Sequence, residues 1–211
     1  YNYRPKSDKF TNNCQLCNRN QGKKNHGNEE WSFYVNLKPE SYATCLTKVS
    51  KGNKTGNLSI YIRSEGCEDL GLSGYCGLAI IQIDSKDYSP HGRGYNLVTI
   101  NADTGIVQQA KSFDTHADIN ADDQMVVFLN SMAPRQLVLI AIQDEGSAKM
   151  NTTAYDALKK VGAQNPLKGN YRSSYALLGW SGPDTPNFIT QVQNERAKGP
   201  SIISKVITFP V

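Results

Sequence analysis

Short runs of hydrophobic residues, rich in β-branched side chains, follow one another along the sequence from Asn57 onward. Runs of this length and content predict β-strands, because branched side chains pack well on a pleated surface. The first four are NLSIYIRS (57–64), LAIIQID (78–84), YNLVTIN (95–101) and IVQQAKSF (106–113). The last two are separated by NADTG, whose Asn, Asp and Gly favour a turn, so we expect them to form a hairpin.

The next segment, DDQMVVFLNSM, changes to a helical period. Its apolar residues recur at i, i+3, i+4 and i+7, which is one face of an amphipathic helix: Met125, Phe128, Leu129 and Met132. Pro134 follows and marks the end of that helix. The run LVLIAIQ (137–143) is apolar on both faces, which predicts a central strand, because a half-exposed strand alternates.

A second helix is predicted over NTTAYDALKKVG, where Thr153 and Asp156 resemble a capping box and Gly162 stands at the position of a C-cap. SSYALLGW (173–180) and IISKVITF (202–209) supply two further strands. Strands that alternate with helices require crossover connections, so the pattern predicts a sheet that is at least partly parallel. Ligands of such sheets bind beyond the carboxyl ends of the strands, where Asp144 lies.

The charge of the chain is unevenly distributed. Residues 1–56 contain ten Lys or Arg and four Asp or Glu, a net charge of +6, whereas the whole chain of 211 residues has +4, which leaves −2 for residues 57–211. A basic extension can bind a polyanion such as a sulfated glycan, or it can be a solvated arm. No nucleic-acid motif with stacking aromatic residues accompanies it, so nucleic acid is not an expected partner. No apolar run reaches the length of a transmembrane helix.

Five cysteines and three glycosylation sequons indicate the secretory pathway. The cysteines are Cys14, Cys17, Cys45, Cys67 and Cys76, and the sequons are at Asn53, Asn57 and Asn151. A sequence that begins at Tyr1 without Met is expected to be a mature polypeptide whose signal has been removed. Zinc binding at Cys14-x-x-Cys17 is the alternative, but no second Cys/His pair follows at finger spacing. Disulfides are favoured, and the short CEDLGLSGYC loop brings Cys67 and Cys76 close enough to pair.

The acidic residues do not form a recognisable catalytic or metal site. Asp144 and Glu145 are adjacent, and consecutive residues of an extended strand point to opposite faces, so they cannot serve one bond as acid and base. His116 in FDTH has no nucleophile motif beside it and is expected to be a hydrogen-bonded loop histidine. The acids at 114, 118, 122 and 123 lack the spacing of an EF-hand and are better explained by helix capping. We therefore expect no enzymatic activity, no metal and no cofactor.

Several of these segments, in the same order, resemble the interleukin-like EMT inducer (ILEI) domain. They are GRGYNLVTINADTG (92–105), SFDTHADINADDQMVVFLNS (112–131), LVLIAIQDEGSAKM (137–150), KKVGAQ (159–164) and YRSSYALLG (171–179). The resemblance implies an α+β protein of ββα type, with two mixed or antiparallel sheets flanked by short helices, and so shifts the parallel sheet towards a mixed one. It also implies a cysteine-containing extension at 1–56 and an ILEI-like domain at 57–211.

The resemblance extends to two branches of the superfamily, and each implies a different function. The secreted "family with sequence similarity three" proteins are cytokine-like, whereas the stem domain of protein O-mannose N-acetylglucosaminyltransferase binds sugar. The residues that match the sugar-binding positions of the stem domain are Arg93, Asp144 and Arg172. The alternative for this trio is a structural ion-pair cluster.

A carboxylate accepts from hydroxyls while guanidinium groups donate in fixed geometry, so the trio suits a sugar. Tyr171 and Trp180 are expected either to stack on the sugar or to belong to the core. We therefore predict a secreted, lectin-like protein that binds glycans or glycoproteins. A cytokine-like signalling ligand without sugar binding is the alternative.

By the same resemblance Cys14 is expected to pair with Cys45. The related proteins join their second N-terminal cysteine to one near the carboxyl terminus, but this chain has no cysteine after Cys76. Cys17 is therefore left over, either as a free thiol or as the link of a disulfide-bonded homodimer. The homodimer is the favoured hypothesis, although Cys17 could replace Cys14 as the partner of Cys45.

Overall fold

The structure is a computed structural model, and it describes residues 22–27, 30–35, 56–69, 76–164 and 170–209. The chain divides into two compact units, Tyr1–Asn53 and Lys54–Val211. In the first unit, strands β1 (Gly22–Gly27) and β2 (Glu30–Val35) pair antiparallel, a hairpin that the hydrophobic pattern did not predict. The predictions for Cys14, Cys17, Cys45 and Asn53 fall outside the described residues.

The second unit contains nine strands and two helices within the described residues. The strands are β3 (Gly56–Gly66), β4 (Ala79–Ile83), β5 (Lys86–Asp87), β6 (Gly94–Asn101), β7 (Val107–Phe113), β8 (Gln136–Asp144), β9 (Ser174–Ser181), β10 (Thr190–Asn194) and β11 (Ser201–Phe209). The helices are α1 (Ala121–Asn130) and α2 (Thr152–Lys160). Neither helix has the length and apolar content needed to cross a lipid bilayer.

Strand β8 is the central strand, as its sequence predicts. It pairs with β6 on one side and with β9 on the other, both antiparallel. Its alternating side chains enter two separate cores: Val138 and Ile140 face one, and Leu137 and Leu139 face the other. Burial on both faces is the reason that this run contains no polar residue between Gln136 and Gln143.

The two cores define the layers of the domain. In the first core the helices α1 and α2 cover one face of β6, β8 and β9, with Met125 and Leu158 fully buried. In the second core, β3, β4 and β11 pack against the opposite face of the same strands, with Ile60 and Ile81 fully buried. The sheet therefore curls so that its two halves enclose a core between them.

The sheet is mixed, and only one of its contacts between described strands is parallel. β10, β9, β8, β6 and β7 follow one another in one half, and β11, β3, β4 and β5 in the other. The halves join where β3 pairs parallel with β8, at Glu65 with Gln143 and Gly66 with Asp144. The crossover inference from the alternating pattern was therefore wrong for the connection between β8 and β9, which are antiparallel neighbours, and the mixed sheet is confirmed.

β8 and β9 are antiparallel neighbours because α2 does not carry the chain across the sheet. Its carboxyl end reaches the far end of β9, where Val161 accepts a hydrogen bond from the backbone of Trp180 at 2.9 Å. The chain is back near the end of β8 by Arg172, whose carbonyl lies against Gly66. β9 therefore starts beside the end of β8 and runs antiparallel to it.

The start of α2 also differs from the prediction. Asn151 is the N-cap, and its side chain accepts from the backbone N–H of Ala154 at 2.8 Å. Thr153 and Asp156 lie inside the helix, so the capping box was wrong; Asn is as good a cap as Thr, and it stands two residues earlier. Gly162 follows the helix with φ +102°, which a glycine adopts without strain.

Candidate functional site

Asp144 lies at the junction of the two half-sheets, at the carboxyl end of β8. Its backbone has φ +64°, a left-handed conformation that ends the strand. Its carbonyl accepts from the backbone N–H of Cys67 at 3.2 Å, directly after β3. Gly77 packs so closely here that a side chain on it would meet the carbonyl of Glu65. The backbone at Cys67, where the Cys67–Cys76 loop begins, and at Gly77, just after the loop, therefore both contact the backbone of Asp144.

Cys67 and Cys76 form a disulfide beside this carboxylate. The Sγ of Cys76 lies 3.3 Å from the Oδ1 of Asp144. The three side chains are close enough to hold a metal ion, but a disulfide sulfur is not a thiolate ligand. The cluster is therefore a disulfide bond next to a carboxylate, and we do not interpret it as a metal site.

Arg93, just before β6, binds Asp114 rather than Asp144. Its Nε donates to Oδ1 at 3.0 Å and its Nη2 donates to Oδ2 at 2.8 Å, a bidentate pair. The pair lowers the pKa of Asp114 and raises that of Arg93. The Asp114 carboxylate also accepts from the backbone N–H groups of His116 and Ala117, which fixes the FDTH turn.

Arg172, just before β9, binds Glu68. Its Nη1 donates to Oε1 at 2.7 Å, and Arg196 donates to both carboxylate oxygens of the same Glu68. Hydrogen bonds from Arg196 and Arg172 lower the pKa of Glu68 to about 2. The exposed ring of Tyr171 lies against both guanidinium groups, 4.9 Å from Arg172 and 5.5 Å from Arg196.

The predicted trio thus shares one electrostatic neighbourhood without forming one ion-pair cluster. Burial raises the pKa of Asp144, although the charges of Arg172 and Arg93 act against the rise. Among the residues that the structure describes, no N–H or O–H group donates to its carboxylate. Each arginine is held by another acid, so Asp144 is a half-buried carboxylate with capacity to accept hydrogen bonds.

Glu145 lies in the turn that follows β8, and its carboxylate has different contacts from that of Asp144. It is 1% exposed and accepts from Ser147 N at 2.6 Å and from Ala148 N at 3.2 Å. His116 Nδ1 lies 2.9 Å from its Oε2, so His116 is the hydrogen-bonded loop histidine that we expected. Burial raises the pKa of Glu145, but the hydrogen bonds from Ser147, His116 and Ala148 outweigh it, and the net direction is downward. This acid stabilises a turn.

Trp180 does not belong to the site. It is 3% exposed in the second core, pairs with Leu137 at the opposite end of β9, and donates from Nε1 to the carbonyl of Pro183 at 3.0 Å. Of the two alternatives predicted for Trp180, the structure shows the core position, because the extended strand carries it away from Arg172 by about 3.3 Å per residue. Of the two aromatic candidates only Tyr171 lies beside Arg172 and Arg196.

Two sequon asparagines have structural roles of their own. Asn57 Oδ1 accepts from Thr208 Oγ1 at 3.0 Å across β3 and β11, and Asn151 is the N-cap of α2. Both side chains are exposed, as glycosylation requires. The amide nitrogen that carries a glycan is not the atom that caps the helix, so both roles are compatible at Asn151.

Three residues of the site were missed from the sequence. Asp114 lies in the FDTH motif, where its role was assigned to capping. Glu68 lies between two cysteines, and its position follows from the closed loop. Arg196 lies in the loop after β10 and carried no signal, because its relation to Glu68 spans 128 residues.

Residues 93–183 match the protein family described as interleukin-like EMT inducer. Protein FAM3B of Homo sapiens is 29% identical over 104 residues, which cover 49% of this chain and 43% of that protein. Protein FAM3A of Homo sapiens is 27% identical over 107 residues, covering 50% of this chain and 45% of that protein. The cell migration-inducing and hyaluronan-binding protein of Mus musculus is 25% identical over 107 residues, 51% of this chain and 8% of that protein. The chain therefore spans less than half the length of each of these relatives.

Proposed function

We propose that this chain, which belongs to the interleukin-like EMT inducer (ILEI) superfamily, acts outside the cell as a cytokine-like signalling ligand and catalyses no reaction. The observation that carries the proposal is the match of residues 93–183 to that family, together with the FAM3 relatives. The match includes the three residues of the predicted trio, Arg93, Asp144 and Arg172.

Two features of the chain support an extracellular location. The disulfide between Cys67 and Cys76 persists in oxidising compartments, and thiols of this kind are kept reduced in the cytosol. The exposed sequons at Asn57 and Asn151 are acceptors that are used only in the secretory pathway. Secretion is therefore part of the proposal.

The charges of the site also suit a protein-binding surface. Arg93 and Arg172 are already paired with acids, so the surface presents fixed ion pairs and an aromatic ring at Tyr171 instead of free cations. Tyrosine and arginine, with tryptophan, are enriched among the residues that contribute most to binding at protein interfaces.

The test measures binding of the fluorescently labelled full chain, with its disulfides intact, to intact cells. Saturable binding that is lost after surface proteolysis and kept after enzymatic removal of surface glycans supports a protein receptor. Reduced and alkylated chain is the control for non-specific adhesion. Binding that disappears with the glycans, or no saturable binding on any of a panel of cell types, contradicts the signalling proposal.

Glycan binding at Asp144 is the second candidate, and the carboxylate without an N–H or O–H donor among the described residues favours it. Such a group can accept from two sugar hydroxyls, with Tyr171 available for the apolar face of the ring. One relative carries hyaluronan binding in its name. A glycan array with the native chain, Asp144→Ala and the matched surface variant Asp156→Ala tests it. Signals that are absent from all three, or equal in all three, contradict a sugar site at Asp144.

A further inference from the structure

Strand β7 forms an edge of the sheet in the part of the chain that the structure describes. It pairs with β6 on one side, and no described strand pairs with its other side. The five residues from Gln108 to Ser112 are exposed on both faces, unlike the interior strands β6, β8 and β9. An accessible edge of this length presents backbone N–H and C=O groups that can pair with another strand.

Three exposed hydrophobic residues lie before, after and beside this edge strand. Ile106 precedes β7 and is 61% exposed, Ile119 precedes α1 and is 71% exposed, and Val127 within α1 is 68% exposed. A groove of about 530 Å³ runs between β7 and α1, with Lys111 on one wall and Val127 on the other. Apolar groups beside an open strand edge are typical of an interface and costly on a surface that stays in water.

We propose that β7 pairs antiparallel with β7 of a second copy of this chain, about a two-fold axis at Ala110. Ala110 is the middle residue of the exposed stretch, so this register uses all five of its residues. It places Gln109 opposite Lys111 of the second copy and Gln108 opposite Ser112 of the second copy. The sheet then continues across the axis from one copy into the other.

The side chains of β7 are complementary to themselves in this register. Gln109 and Lys111 lie two residues apart and face the same side of the sheet, so the amide of one meets the ammonium of the other. A register centred on Lys111 would place two lysines opposite each other, which is unfavourable. A register centred on Gln109 would place the irregular position near Gln108 beside the axis, where the ladder with β6 shifts.

The two-fold axis also accounts for the exposed hydrophobic residues. Ile106 lies at one end of β7, and the loop that carries Ile119 leaves from the other end at Phe113. Antiparallel pairing brings the Ile106 end of each copy beside the Phe113 end of the other. The same contact occurs twice, as an isologous interface requires.

The experiment is sedimentation velocity of the full chain over a concentration series, in a Cys17→Ser background that removes the hypothesised covalent link. The expected result is a reversible dimer. Gln109→Lys places like charges opposite each other twice per dimer and is expected to raise the dissociation constant roughly tenfold. The double variant Gln109→Lys with Lys111→Glu removes this repulsion by placing opposite charges across the axis, and it is expected to dimerise at least as tightly as the original chain.

Gln193→Lys is the matched control, because Gln193 is an exposed glutamine on the other edge strand of the same half-sheet, β10. It is expected to leave the dimer unchanged. Gln109, Lys111 and Gln193 are exposed, so circular dichroism should show the same fold as the Cys17→Ser chain in each of these variants. A chain that stays monomeric, a dimer insensitive to Gln109→Lys, or a dimer that the double variant fails to restore would overturn the proposal.

Discussion

The guanidinium of Arg172 donates to Glu68 at 2.7 Å and not to Asp144. Glu68 is thus the acid that binds Arg172, and it binds Arg196 as well. A sugar-binding interpretation based on Arg93, Asp144 and Arg172 alone leaves Glu68 out. The charge that a ligand meets here depends on both Asp144 and the Glu68–Arg172–Arg196 group.

Glu68→Gln is expected to lower the thermal stability at neutral pH and to have little effect at pH 2. The pKa of Glu68 is lowered from 4.5 to about 2, so its ionised form is favoured in the folded state. That contribution is present above the unfolded pKa and is lost as the pH falls from about 4.5 to about 2. Melting temperatures of both proteins across this interval check the prediction. A difference that stays constant with pH would contradict it.

Asp144→Asn is expected to keep or raise the melting temperature at neutral pH. The pKa of Asp144 is raised above 3.8, chiefly because burial disfavours the charged carboxylate. Protonated Asp144 therefore favours the folded state at low pH, and this contribution is lost as the pH rises through the folded pKa. Asp114→Asn is the matched control and is expected to lower the melting temperature, because Asp114 binds Arg93 and the FDTH turn. Equal losses in both variants would make Asp144 part of a structural cluster.

Glu145→Ala is expected to destabilise the domain by about 1 to 3 kcal/mol, because it leaves partly buried donors of the 145–148 turn without their acceptor. Glu145→Gln keeps one acceptor oxygen and should lose less. The pKa of Glu145 is lowered, so the wild-type advantage over Glu145→Gln should shrink as the pH falls below about 4.5. Urea unfolding at pH 7 and pH 4 measures both effects. A Glu145→Ala protein as stable as the wild type would exclude this structural role.

Asn151→Ala is expected to cost about 1 kcal/mol of stability through the lost N-cap of α2. Thr153→Ala removes the same sequon and leaves the cap in place. If Asn151 is glycosylated, both variants produced in a secretory host should lose one glycan by mass spectrometry. Only Asn151→Ala should lose stability after enzymatic deglycosylation, and equal stability of the two would refute the capping effect.

Joint replacement of Cys67 and Cys76 by Ser is expected to lower the unfolding free energy by about 2 to 3 kcal/mol, from the closed loop of roughly ten residues. The loop carries Glu68, so the replacement should also weaken its bond to Arg172. A double-mutant cycle with Glu68→Gln measures this coupling. Strict additivity of the two changes would show that the disulfide does not position Glu68.

Much of the fold follows from local patterns. The strands β3, β4, β6, β7, β8, β9 and β11 and both helices were predicted within one or two residues at most ends. β5 and β10 were missed, because both are short and polar; β5 is exposed and β10 is only partly buried. Which strands pair depends on contacts between distant segments, and the period of a strand does not encode its neighbour.

The site was predictable only in outline. The end of β8 at Asp144 follows from the change from LVLIAI to QDEG. The separate contacts of Asp144 and Glu145 come from the turn at Asp144, whose φ of +64° the strand pattern does not indicate. The partners of Arg93 and Arg172 do not follow, because a loop side chain binds whichever acid the folded chain brings nearest. Asp114 is 21 positions from Arg93 in the sequence, and Glu68 is 104 positions from Arg172.

The parallel contact between β3 and β8 is two residue pairs long, whereas the β6–β8 ladder has eight. The backbone link between the half-sheets is therefore a short seam, and the amide of Cys67 crosses it to the carbonyl of Asp144. Opening of such a seam is a local event that exposes this amide to solvent. A molecule held by Asp144 and by the residues around Glu68 would restrain both sides of the seam at once. Slower hydrogen exchange at Cys67 would then report occupancy of the site for any ligand, whatever its chemistry.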